Sequence, residues 1–144
     1  MDKMCVVVLC GLLISGCSGN PPGHLGAINK KFAPCPEKPN CVNSQSNNKD
    51  HHIEPLTYNG SREDAAKKLK QVILSMERAR IVEYNGDYIW VEFKSALWRF
   101  VDDVEFCFSD DPIIHIKSAS RTGHSDFGVN RKRVTRIREL FNEK

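Results

Sequence analysis

The chain has 144 residues, enough for one domain with one real core and too few for two. Its 40% hydrophobic and 27% charged content excludes a disordered chain, a coiled coil and a polytopic membrane protein. The formal net charge is +3, and the six cysteines are too few to replace a core, so where they lie decides how the compartment is read.

Residues 4–14 form an almost unbroken apolar run behind Lys3, followed by Ser15, Gly16 and Cys17. The run is much shorter than the roughly twenty residues of a stable membrane-spanning helix. Small residues ahead of a cysteine suit a peptidase that cuts beside a lipidated thiol. Residues 1–16 therefore resemble a bacterial lipoprotein signal peptide, and Cys17 is the expected lipid anchor. The alternatives are an ordinary secretory signal cut nearby and an uncleaved anchor. Cleavage would discard Cys5 and Cys10. The acyl chains on Cys17 would then hold the protein on a membrane, at about 0.8 kcal/mol per buried CH2. Ser18 follows the anchor where Asp does not, which by resemblance to lipoproteins of diderm bacteria favours the outer membrane. The expected address is the cell envelope, lipid-anchored and facing the periplasm. Residues 17–33, rich in Gly, Pro and Asn, read as a flexible tether, and residues 34–144 as the domain.

Cys35 and Cys41 stand six positions apart with Pro36 and Pro39 between them, so they share no regular helix or strand, and the loop is tight enough to bring the sulfurs together. In an oxidising periplasm a disulfide is the default. Half of a zinc site is the rival; it would need ligands such as His51, His52 or Cys107, whose spacing matches no known pattern. Neither a metal nor a cofactor is expected.

Residues 52–58 are a weak strand candidate, with Pro55 suggesting an edge. Ser61 to Asp64 make a capping-box-like helix start, after which Leu69, Val72, Ile73 and Met76 fall on one helical face. Strands over 81–84 and 88–93 flank Asn85-Gly86-Asp87, a strong hairpin signal. In the second of them Ile89, Val91 and Phe93 alternate with Tyr88, Trp90, Glu92 and Lys94, a core face against a mixed one. Residues 100–108 alternate as well, with Phe100, Val104, Phe106 and Phe108 opposite Val101, Asp103, Glu105 and Cys107. Asp110-Asp111-Pro112 turns the chain into a strand over 113–118, and residues 130–141 form a second helix with Val134, Ile137 and Phe141 as its stripe. The expected fold is α+β: a single domain with an antiparallel sheet of four to five strands and two helices packed on one face, in the order β-α-β-β-β-β-α. A small helix-grip arrangement is one such topology.

Three blocks carry a resemblance. They are Cys35-Pro36-x-x-Pro39-Asn40-Cys41-Val42-x-Ser44-Gln45, residues 100–106, and Ser118-Ala119-Ser120-Arg121-x-Gly123-x-Ser125-Asp126-x-Gly128-x-Asn130-Arg131-x-Arg133. In this order and spacing they resemble the DUF1499 family, over about residues 34–143. That resemblance implies no activity and no catalytic residue, since the family is named for its unknown function.

Two features break the ordinary pattern. Asp102 shares the register of Phe100, Val104 and Phe106, so strict alternation points a carboxylate into the core, where an unpaired charge costs several kcal/mol. On the last helix Arg133 falls among the apolar positions, so a charge cluster is expected between Asp102 or Asp103 and Arg133, with Arg121 and Arg131 as alternatives. Such a cluster either holds the fold or forms a ligand site. Residues 118–130 are dense in Ser, Gly, Arg, His and Asp; with Arg121, Asp126 and Asn130 they either receive an anion or staple the loop and cap the helix. Ser120, His124 and Asp126 lack the nucleophile elbow of a hydrolase.

Residues 121–144 carry +4 and the remainder −1, so a basic terminal helix could face anionic lipid or an acidic partner. Nucleic acid is not expected as a partner. The leading expectation is a noncatalytic lipoprotein that binds an envelope protein or anionic ligand through the sheet's outer face, at Tyr88 and Trp90, or through the loop between Arg121 and Arg133. The alternatives are an extracytoplasmic enzyme, metal-assisted or hydrolytic, using Asp102, Asp103, Glu105 and His124, and a structural assembly factor for an envelope complex.

Overall fold

The computed structural model describes residues 19–143; the candidate signal peptide over 1–16 and the candidate anchor Cys17 lie outside the described residues. The elements run β1 (Ala27–Ile28), β2 (Lys31–Phe32), β3 (Cys41–Asn43), β4 (Leu56–Thr57), α1 (Arg62–Ser75), β5 (Ala79–Tyr84), β6 (Tyr88–Lys94), β7 (Val101–Phe108), β8 (Ile113–Ser120) and α2 (Val129–Glu143). The main sheet is ordered β3-β8-β7-β6-β5, with β4 also paired to β8 and every strand pair antiparallel. The expected α+β architecture with two helices is therefore the observed one. Two pieces are additional: β3 on the edge of β8, and a separate β1-β2 hairpin.

Local chemistry sets the boundaries. The Ser61 hydroxyl accepts the Asp64 amide and so caps α1, whose Glu63 and Asp64 sit favourably in the first turn. Asn85 Oδ1 accepts the Tyr88 amide and Gly86 takes φ +92, which closes the β5-β6 hairpin. Ala65, Leu69, Val72 and Ile73 of α1 and Val134, Ile137 and Phe141 of α2 are buried on one side of the sheet. They pack with Ile89, Val91 and Phe93, with Val104, Phe106 and Phe108, and with Ile114 and Ile116. Alternation thus names the core face correctly in β6, β7 and β8.

The opposite face differs from a solvated one. Tyr88, Glu92, Asp103, Glu105, Cys107 and Lys117 are all buried there. Part of their cover is residues 19–34, the stretch expected as a flexible tether. Asn29 and Lys30 both adopt positive φ, the two-residue reversal that joins β1 to β2. Phe32 then buries its ring with Tyr88 and Cys107, and Gln45 pins the turn by accepting the Phe32 amide and donating to the Lys30 carbonyl. A helix-periodic or strand-alternating signal is absent from this segment because it is held by backbone groups and one aromatic ring.

Cys35 and Cys41 are joined by a disulfide, which sets aside the zinc reading for this pair. The bridge leads directly into β3. A closed loop of this length is worth about 2 kcal/mol in the chain-entropy model. Replacing both cysteines by serine should lower stability by that amount in chemical denaturation, and a loss near zero would mean that β3 is held by its pairing with β8 alone.

Candidate functional site

The sheet carries a charge system on each face. On the helix side, Arg133 Nη2 donates to Asp102 Oδ2 at 2.6 Å, with side chains 12% and 13% exposed, so the carboxylate that alternation points inward has a partner. The same guanidinium lies over the Phe93 ring, 4.8 Å from its centroid, and donates to Asn130 Oδ1 at 2.8 Å. Asn130, fully buried, gives its Nδ2 to the Asn40 carbonyl, Ser120 Oγ and Asp126 Oδ2. Asp126 in turn accepts the amides of Gly128 and Asn130, which caps α2. Arg131 points elsewhere, donating to the carbonyls of His52 and Asp50. These residues therefore fasten the loop and the helix start to the sheet. Ser120 and Asp126 are engaged in that work and His124 is exposed, so the three do not assemble as a catalytic triad.

On the outer face Arg121 bridges two strands. Its Nε and Nη2 donate to both oxygens of Asp103, at 2.8 and 2.7 Å, and Nη2 also reaches Glu92 Oε1 at 2.6 Å. Its Nη1 donates to the Gly19 carbonyl at 3.0 Å. Glu92 takes a further bond from Arg80, and Asp103 one from the Trp90 indole. The bidentate grip on Asp103 pushes the Arg121 pKa well up and keeps it cationic. Burial alone would raise the Glu92 carboxyl, but the hydrogen bonds from Arg80 and Arg121 outweigh it and hold it below the usual range.

Beside this knot, β7 and β8 set Glu105 directly opposite Lys117. Glu105 Oε1 accepts the Tyr88 hydroxyl at 2.8 Å and the Gly26 amide at 2.7 Å, and its other oxygen stands 3.6 Å from Lys117 Nζ. Burial pushes the Tyr88 phenol up, and the Glu105 charge adds to that shift. Burial likewise pushes the Lys117 ammonium down, partly countered by Glu105 and Asp103. The Lys117 side chain is 2% exposed, and among the described residues its Nζ and Asn40 Oδ1 are the buried polar atoms without a hydrogen-bond partner. Both residues line the same cavity, of about 180 Å³, together with Glu105, Arg121, Leu25 and Pro22. A cavity bordered by a buried ammonium and a buried amide oxygen, neither hydrogen-bonded among the described residues, suits a polar occupant.

A larger groove, of about 420 Å³, runs between the disulfide loop and α2 past Glu37, Asp50 and Arg131, but it is wide open and its Arg131 is already tied to carbonyls. Among the described residues no three His, Cys, Asp or Glu side chains converge as a metal-ligand set. Cys107 is a buried thiol whose pKa burial raises, which leaves it unreactive.

The structure thus divides the single charge cluster expected from the sequence, bringing Asp103, Glu105 and Arg121 to one face of β7 and Asp102, Asn130 and Arg133 to the other. The sequence does not single out Glu92, Lys117 or Asn40 for either place. Asp126 and Arg131 lie with the α2 cap, outside the cavity. A family model described as a protein of unknown function, DUF1499, matches residues 31–141, which is most of the chain. No curated protein matches it.

Proposed function

The chain belongs to the DUF1499 family, and since that membership carries no activity, we propose from the site itself that the protein is a noncatalytic binding domain of the cell envelope. It is held on a membrane by lipid on Cys17, and it takes a small polar ligand in the cavity under residues 19–34. The observation that carries the reading is a cavity lined by Lys117 and Asn40, whose buried Nζ and Oδ1 have no hydrogen-bond partner among the described residues. A ligand hydroxyl has the chemistry either group calls for, accepting from a lysine and donating to an amide oxygen. Of the two carboxylates lining the cavity, Asp103 is bound by Arg121 and Glu105 by the Tyr88 hydroxyl and the Gly26 amide, which fits recognition better than proton transfer. The apolar leader, Ser15-Gly16 before Cys17 and the disulfide support the envelope address.

The test is thermal unfolding of the full chain with glycerol and with acetate, alongside native mass spectrometry of protein taken gently from membranes. Ligand binding stabilises the folded state through mass action, by about 2.7 kcal/mol at a hundredfold excess over Kd, and so raises the midpoint. The expected result is a rise with glycerol that Lys117→Met removes. A cavity that holds water alone, with no rise for either probe and no retained ligand mass, would overturn the reading.

A further inference from the structure

Beyond the cavity, one end of the sheet carries large side chains that nothing in the fold covers. The β6-β7 connection presents Leu97 and Trp98, 84% and 72% exposed, with Phe100 beside them; the loop before α2 presents Phe127, 88% exposed, and the first residue of α2 is the exposed Val129. These two loops share one edge. Lys94 pairs with Val101 where β6 and β7 end, the Arg121 amide donates to the Val101 carbonyl at 3.1 Å, and Val129 lines one groove with Lys94 and Ser95. Scattered single apolar residues on a surface need no explanation, but five on two adjoining segments do.

The chain's own path names the occupant. Gly19 sits at this same edge, its carbonyl bonded to Arg121, and a side chain at this position would meet Thr122. Cys17 is two residues upstream, within about 7 Å of extended backbone. Charge agrees: residues 94–100 hold Lys94 and Arg99 and no acid, and Lys132 is exposed on the first turns of α2. The nearby acids are already engaged, Glu77 with Arg78, Asp102 with Arg133 and Asp126 with the amides that cap α2. A tryptophan and other apolar side chains beside Lys94, Arg99 and Lys132, unpaired among the described residues, therefore match a segment seated at the headgroup level of an anionic bilayer.

We propose that the Leu97-Trp98 loop, with Phe100, Phe127 and Val129, is a membrane-docking tip that inserts into the interface of an anionic bilayer beside the lipid anchor. This rests on the envelope reading above for its location and on the exposed tip for its contact.

Full-length protein is reconstituted in phosphatidylcholine–phosphatidylglycerol vesicles with and without bromine on the acyl chains, and tryptophan emission is compared between the natural sequence and Trp98→Phe, which keeps only Trp90. The expected result is at least a twofold loss of the Trp98 share of emission in brominated vesicles. The paired Leu97→Asp and Phe127→Asp substitutions, both at exposed positions, should abolish the loss while leaving the unfolding midpoint in place. Unquenched Trp98 in vesicle-bound protein overturns the proposal, and so does a Trp98 shift that follows protein concentration without lipid, which would assign the patch to a second copy. The mass of the N-terminal peptide separates the two readings. Acylated Cys17 with unquenched Trp98 keeps the anchor and sinks the tip; unmodified Cys17 with quenched Trp98 does the reverse.

Discussion

Replacing Arg121 by methionine should cost the fold about 3–5 kcal/mol, the penalty for removing one partner from a buried charge network. The guanidinium is 5% exposed and serves two carboxylates that are themselves 7% and 3% exposed, so its loss leaves Glu92 with Arg80, and Asp103 with only the neutral Trp90 indole, as hydrogen-bond partners among the described residues. Desolvation of those carboxylates is already complete in the folded state, and the methionine stem replaces the packing but none of the donors. Arg121→Lys should recover part of the loss, since a single ammonium supplies charge without the fork that grips Asp103 twice. Urea denaturation at neutral pH gives the magnitude, and a deficit below about 1 kcal/mol would show that water enters the site freely.

The sign of the pH dependence follows from Glu92. Its carboxyl titrates below the usual range in the folded protein, so its contribution is present above the unfolded value and is lost as pH falls through the depressed one. Glu92→Gln should flatten that acid limb. In Arg121→Met the repulsion between the two carboxylates is relieved by protonation, so the deficit against the natural sequence should narrow toward about pH 4.

The second large effect is expected on the other face. Arg133→Met should lower stability by about 2–4 kcal/mol, because Asp102 loses its partner while Asn130 loses a donor and the Phe93 ring its cation. A double-mutant cycle with Asp102→Asn isolates the pair: neutralising the carboxylate removes the buried charge, so the double variant should be more stable than the sum of the two singles predicts. Additive losses would mean that the salt bridge contributes nothing and that Arg133 acts through Asn130. Asp102→Asn alone should leave any glycerol-induced stabilisation at the proposed Lys117 cavity intact, since β7 stands between the two sites.

Asp102 was legible because it contradicts its neighbours: a carboxylate in the register of Val104 and Phe106 demands a partner, and the helical wheel of α2 supplies Arg133. Glu92 and Lys117 were illegible for the opposite reason. Each sits where alternation places a solvated polar residue, and their burial is imposed by a segment far away in sequence, as the bond from Gly26 to Glu105 illustrates. The strand Cys41–Asn43 escapes a pattern search because three residues of unlike chemistry, buried together, show no period. The α1 start and the β5-β6 hairpin, both set by contacts within a few residues, are read without loss.

The fastening of Gly19 to Arg121 also changes what a lipid anchor would do. Residues 19–33 left free would span about 20 Å as a random coil and let the domain roam. Laid against the sheet instead, they give the proposed lipid on Cys17 a leash of two residues. A domain so held searches a thin layer above the bilayer, where the effective concentration of anything embedded in the same membrane is raised and that of a distant soluble partner is not.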